Sequence, residues 1–129
     1  MDKTKEPGII FENIYFTNIL YDQKDFNYGN ELNIELILNT KATFTNDNKQ
    51  LTMEIDCSVF REIDLKLKCS ALFRVDENAE NMDITDFAKT NAPAIVFPYI
   101  REAISSIIGR TMLPPLYLPP INIVNLLQK

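Results

Sequence analysis

Histidine is absent from all 129 residues of this chain, which removes the commonest general base and the commonest metal ligand. Glycine occurs three times, at Gly8, Gly29 and Gly109, too sparsely for a P-loop, a dinucleotide fingerprint or a nucleophile elbow, so nucleotide binding is not expected. The two cysteines, Cys57 and Cys69, stand too far apart for a CxxC site. No basic cluster interrupts a formal net charge of −5, which disfavours nucleic acid and anionic membrane surfaces as partners. No apolar run approaches the length of a membrane span, so no membrane insertion is expected. Residues 1–8 are charged and are not followed by the apolar stretch of a signal peptide, which points to a cytoplasmic location.

Apolar surface is what the chain has in quantity. Hydrophobic residues make up 46% of it, a globular proportion, and its length predicts a single domain, 1–129, small enough for oligomerisation to add burial. Residues 9–21 carry β-branched and aromatic side chains on both parities. That predicts a strand with each face at least partly covered, one cover being a second subunit, with Tyr15 and Phe16 as candidate interface residues. A turn-forming loop over 22–30 leads into a half-buried strand in which Leu32, Ile34, Leu36 and Leu38 share one face. Asn33, Glu35 and Asn39 take the other face, and Ile37 is the exception to the alternation. Residues 46–49 signal a hairpin, after which Leu51, Met53, Ile55, Cys57 and Val59 alternate with polar residues. The last strand runs from Asp64 to Val75, with Leu65, Leu67, Cys69, Ala71, Phe73 and Val75 inward. Both cysteines lie on the apolar parity and read as buried free thiols; a hairpin could bring them together, but a cytosolic location argues against a disulfide.

Residues 76–90 are acidic and polar, with Met82, Ile84 and Phe87 at helical spacing, and read as a loop with a short helical turn. Asn91 then caps a long helix, with Pro93 in its first turn, Pro98 tolerated with a bend and Gly109 as terminator. Its apolar stripe comprises Ile95, Val96, Tyr99, Ile100, Ala103, Ile104, Ile107 and Ile108, of which Ile100 and Ile104 are candidate contacts between copies. The proline-laced stretch 114–120 reads as an extended crossover, and a short helix from about residue 122 to 128 closes the chain. The fold class expected is α+β: a four-stranded antiparallel sheet packed with a long helix and a short C-terminal helix.

Carboxylate pairs such as Glu54 with Asp56, or Glu62 with Asp64, lie on polar parities or at turns and read as solvated faces. The acidic run 76–80 with Asp83 and Asp86 lacks the spacing of a calcium loop. No catalytic residue, metal ligand set or cofactor is expected, and the chain is not read as an enzyme. The first strand, the crossover and the terminal helix carry more apolar side chains than one small domain needs. Singly, Phe11, Tyr15, Phe16, Tyr117 and Leu127 suit a core or a dimer interface; together they suit a binding groove.

Four segments resemble the SecB family of protein-export chaperones in order and spacing. Ile95-Val96-Phe97-Pro98-Tyr99-Ile100-Arg101-Glu102 and Leu116-Tyr117-Leu118-Pro119-Pro120-Ile121-Asn122 match the patterns that open the family's long helix and lead into its last one. Asn13-Ile14-Tyr15-Phe16-Thr17-Asn18-Ile19 is similar to the family's first strand, and residues 67–75 to a later one. The resemblance implies an ATP-independent holdase that binds unfolded preproteins in apolar grooves, assembles as a homotetramer built from two dimers and hands clients to the motor ATPase SecA. Matching positions imply that Leu36, Leu38 and Leu127 line the client groove, and Tyr117 of the crossover is a further candidate. They also place Asn18, Asp22 and Lys66 on the SecA-facing side, where the family's acidic positions have become Asn18 and Lys66. The polar tail by which family members touch SecA again is expected to be missing after Lys129. Docking to SecA is therefore weakened. The alternatives are a solitary SecB-like chaperone dedicated to an antitoxin, and a small-ligand-binding protein.

Overall fold

A computed structural model describes residues 8–24, 34–61, 63–76 and 84–114. In chain order its elements are β1 (Ile9–Gln23), β2 (Ile34–Phe44), β3 (Gln50–Arg61), β4 (Ile63–Val75) and the helix α1 (Ile84–Ile108). The α+β class and the four-stranded antiparallel sheet are those expected. Tyr117, Leu127, the crossover from residue 115 and the C-terminal helix lie outside the described residues, as does Leu32.

The strands run in the order β1-β4-β3-β2, so β1 pairs with the last strand and not with its neighbour in sequence. β3 and β4 are the centre, and their alternation is the one read from the sequence. Leu51, Met53, Ile55, Cys57 and Val59 of β3 and Ile63, Leu65, Leu67, Cys69, Ala71 and Phe73 of β4 are all buried toward α1. The β2–β3 turn forms because the Asp47 carboxylate accepts from the Thr45 hydroxyl at 2.7 Å and the Lys49 amide at 3.0 Å. Those bonds, the Thr45 one first, hold the Asp47 pKa below its ordinary value. Asn48 takes the left-handed backbone that the turn needs, φ 56°, a conformation asparagine tolerates.

β1 corrects its sequence reading. Its apolar residues fall on both parities because two bulges, at Phe11/Asn13 and Phe16/Asn18, shift the strand's register. Ile9, Phe11, Ile14, Phe16, Ile19 and Tyr21 thus stand opposite the inward residues Val75, Phe73, Ala71, Cys69, Leu67 and Leu65 of β4. One apolar face has been threaded through two extra residues.

α1 begins earlier than expected. Residues 84–90, read as part of a loop, are helical, so Asn91 is not a cap and both prolines lie inside the helix. Ile84, Phe87 and Ala88 hold this first part against the sheet, with the Phe87 ring edge-on to Phe73 at 5.3 Å. Each interior proline costs about 3 kcal/mol or more. Burial of Ile84, Phe87, Val96, Phe97, Ile100, Ile104 and Ile108 contributes roughly 1.5–3 kcal/mol apiece, and that sum is the larger. The helix stops at Ile108 as expected. The Gly109 amide reaches the Ser105 carbonyl at 2.9 Å, and the Thr111 hydroxyl donates to the Ile108 carbonyl at 2.6 Å.

The stripe on α1 is narrower than expected, since Ile95 and Tyr99 are 37% and 45% exposed. Ile100 and Ile104, expected between copies, are instead 1% and 0% exposed inside the protomer, because they point at β3 and β4. They cannot meet a second chain without unpacking the core.

The thiols of Cys57 and Cys69 are free and buried, and each sits opposite an aliphatic residue of the other strand, Leu67 and Ile55 respectively. Burial, with Cys69 nearby, pushes Cys57 up to about 12; burial, with the charge of Asp56, pushes Cys69 up to about 11. A thiol pKa raised by folding means that the unfolded chain ionises first. The thiols therefore leave stability unaffected below about pH 9 and are expected to lower it as pH rises toward 11–12, by an amount that Cys57→Val with Cys69→Val reduces. Urea titrations of both proteins across that window check it. At the β3–β4 turn, Arg61 has φ 102° with a mostly exposed side chain ion-paired to Glu35. Arg61→Gly relieves a strain of about 1–3 kcal/mol and forfeits an exposed pair worth about 0–1 kcal/mol. It is expected to raise the urea midpoint.

Candidate functional site

A single helix cannot cover four strands. α1 packs on β3 and β4, which leaves the inner faces of β1 and β2 as half-covered flanks. On the β1 flank Phe11 stacks on the buried Phe73 at 5.2 Å and meets the Tyr99 ring of α1 edge-on at 5.6 Å. Ile14, Phe16 and Tyr21 continue it half-buried, and Ile19 is 51% exposed although it stands opposite the buried Leu67. The result is a long apolar ledge with an aromatic corner. On the β2 flank Ile34, Leu36 and Phe44 are half-buried, whereas Thr40 and Ala42 are exposed opposite the buried Ile55 and Met53.

The other face of the sheet has no element packed on it among the described residues. Leu20, Lys66, Ser58 and Ile37 form one row across all four strands, and Asn18, Lys68, Asp56 and Asn39 the next. Leu20 and Ile37 are among the most exposed large apolar residues. A depression of about 350 Å³ is lined by Leu20, Tyr21, Asp22, Asp64 and Lys66, and an adjoining one of about 420 Å³ includes Asn18 and Lys68. Asp22 lies directly opposite Asp64, and Lys68 pairs with Asp56 at 3.8 Å with both ends exposed, a contact of little energetic weight. No group of three or more side chains able to hold a metal occurs among the described residues.

The expected site residues therefore divide. Asn18, Asp22 and Lys66 come together around Leu20. Leu36 is half-buried beside the core, but Leu38, expected to line a groove, is 8% exposed and belongs to the core opposite Cys57. Tyr15 is exposed on the outer face and Phe16 is half-buried on the inner one. Ile19 and Tyr99 were not singled out for the site. By spacing Tyr99 belongs to the apolar stripe of α1, and the bulge at Phe16/Asn18 puts Ile19 on the opposite parity in sequence from Phe16. Ile37 had its signal in the sequence, as the one apolar residue out of phase in β2.

The sequence model of the family described as "Preprotein translocase subunit SecB" matches residues 8–129. The chain belongs to the SecB family. Among curated relatives, a protein-export protein SecB of Cellvibrio japonicus is 35% identical over 88 residues, 68% of this chain and 46% of that protein. An uncharacterized protein of Methanocaldococcus jannaschii is 38% identical over 63 residues, 49% of this chain and 40% of its own length. A protein-export protein SecB of Xanthomonas campestris is 28% identical over 132 residues, covering 94% of this chain and 76% of that one. The chain thus spans less than half the length of the first two. The SecB-like chaperone of Mycobacterium tuberculosis, solved with a peptide from the HigA1 antitoxin, shares the fold at a TM-score of 0.73 and 20% identity, over 88% of this chain and 87% of its own.

Removing two exposed apolar side chains of the ledge, by Ile19→Ser with Tyr99→Ser, is expected to lower binding of an apolar fluorescent dye severalfold. The unfolding free energy should fall by about 2–4 kcal/mol, since each side chain is half buried and Tyr99 gives up its edge-on contact with Phe11, and the protein should stay folded. Dye titration and urea denaturation of the same protein separate the two effects.

Proposed function

We propose that the chain is an ATP-independent holdase that binds unfolded preproteins on the apolar flanks of its sheet and keeps them competent for export. Membership of the SecB family carries this reading, and the exposed apolar ledge from Phe11 and Tyr99 to Ile19 gives it a physical basis. Client binding there is burial of apolar and aromatic side chains at roughly 25 cal/mol per Å², which needs no cofactor, no catalysis and little sequence selection. Leu36 is the proposed client contact on the other flank, that of β2, and Tyr117 and Leu127 are client contacts proposed from their places in the sequence.

A cytoplasmic homotetramer is part of the reading. No helix among the described residues is long and apolar enough to cross a membrane. Tyr15 and Phe16 on β1, with the exposed Ile95 and Tyr99 of α1, are among the apolar residues that could meet a second copy, in place of the buried Ile100 and Ile104. SecA is a weaker part of it. Lys66 and Lys68 interrupt the acidic residues Asp22, Asp56 and Asp64 around Leu20, which lowers the negative potential of the face proposed for the motor. An antitoxin client is the second reading, favoured by the antitoxin peptide held by the M. tuberculosis neighbour.

Light scattering with and without an excess of a permanently unfolded polypeptide tests the main reading. A tetramer that gains one client and suppresses aggregation of a refolding protein is expected. A monomer indifferent to unfolded chains sinks it, and binding confined to one antitoxin segment selects the second reading.

A further inference from the structure

The first two turns of α1 are joined weakly to the rest of the helix. Pro93 has no N–H for the Lys89 carbonyl and Pro98 none for that of Ala94, so the hydrogen-bond ladder misses two rungs between residues 89 and 98. Beyond them the helix is anchored on the core by the buried Ile100, Ile104 and Ile108. Residues 84–90 are held by three buried side chains, Ile84, Phe87 and Ala88, while Thr85, Asp86 and Lys89 are exposed.

Local preference favours a shorter helix. In a helix that starts at residue 92, Pro93 falls in the first turn, where its missing N–H removes no rung and its ring meets no helical carbonyl. Asn91 then becomes the N-cap. Its side-chain carbonyl accepts from the Thr90 hydroxyl at 2.7 Å in the long helix and is positioned by a short one to accept the Ala94 amide. Against the short form stands the burial of Ile84, Phe87 and Ala88, and what their departure uncovers is aromatic. The Phe87 ring is edge-on to Phe73 at 5.3 Å, and Phe11, the aromatic corner of the β1 ledge, stacks on the same Phe73 at 5.2 Å.

We propose that residues 84–90 are a lid that unwinds from the sheet while α1 restarts under an Asn91 cap, and that the place Phe87 leaves beside Phe73 and Phe11 receives an aromatic side chain of a bound segment. The exchange is like for like, one edge-on ring for another, so the lid and the ligand compete for one site. Binding therefore holds the lid open, and anything that loosens the lid strengthens binding by the same factor. The receiving step rests on the client-holding reading and adds to it a site that is closed in the unbound protein.

Hydrogen exchange of the full chain, read by mass spectrometry, tests it by comparing the amides of residues 88–92, which lose their partners when the lid opens, with those of 100–108, which keep them. Faster exchange at 88–92 is expected. Valine matches asparagine in helix propensity but does not cap, so Asn91→Val is expected to slow exchange at 88–92 about fivefold and leave 100–108 unchanged, whereas Asn91→Ser, which caps, should alter neither. An apolar peptide with one phenylalanine, added to saturation as judged by fluorescence anisotropy, is expected to speed exchange at 88–92 about fivefold by the same linkage. Phe87→Ala should tighten its binding severalfold, with Ile84→Ala as the second variant if circular dichroism shows the first unfolded. Equal protection of the two segments, no response to Asn91→Val, or a bound peptide that leaves 88–92 as protected as before overturns the lid and leaves the client-holding reading standing. An equal effect from the same peptide with leucine for phenylalanine overturns the aromatic site. Failure of the peptide to bind removes the client-holding reading and this site with it.

Discussion

The packing of α1 on β3 and β4 is the interaction on which the rest of the structure depends. Val96, Ile100, Ile104 and Ile108 meet two strands whose inward residues are almost wholly buried, and this contact keeps a helix with two interior prolines intact. It also sets the limit of coverage. A helix is roughly 10 Å across and strands lie about 4.8 Å apart, so one helix shields about two strands of four. The half-covered flanks that make this protein a candidate binder follow from that mismatch of widths.

The two flanks are not equivalent. β1 bends through its bulges and carries the larger side chains, so its flank is an aromatic ledge that offers side-chain burial. β2 keeps an unshifted register with β3 and carries the small, exposed Thr40 and Ala42 between Leu38 and Phe44, so its flank offers space where that of β1 offers rings. The proposed holding of unfolded chains rests on both features together with membership of the SecB family. The opposite face of the sheet, where Lys66 and Lys68 stand among Asp22, Asp56 and Asp64, has mixed charge and so differs in chemistry from the apolar flanks.

Much of the fold was legible in the residues. The alternation in β3 and β4 is uninterrupted because both strands have one buried face and one open one, and the 46–49 turn and the Gly109 stop depend on neighbours a few residues away. The start of α1 was not legible, because two prolines and a polar run argue locally against a helix that is held by the distant contact of Phe87 with Phe73. The site was half legible. Asn18, Asp22 and Lys66 lie on one face as expected, whereas Leu38 is too buried to line a groove, and the exposure of Ile19 and Tyr99 has no local signal because it depends on a bulge and on how far α1 reaches across the sheet.

By itself, the sequence determined the α+β class, the antiparallel strands, the free thiols on an apolar parity and the lack of histidine chemistry, since these depend on composition and on periods of a few residues. Only the tertiary structure decided the order β1-β4-β3-β2, the bulges that fold two parities of β1 onto one face, and which isoleucines of α1 turn inward. Periodicity requires that an apolar face be buried. Which side chains remain outside it depends on the width of the helix and the register of strands paired across some sixty residues of chain, as Phe11 is with Phe73.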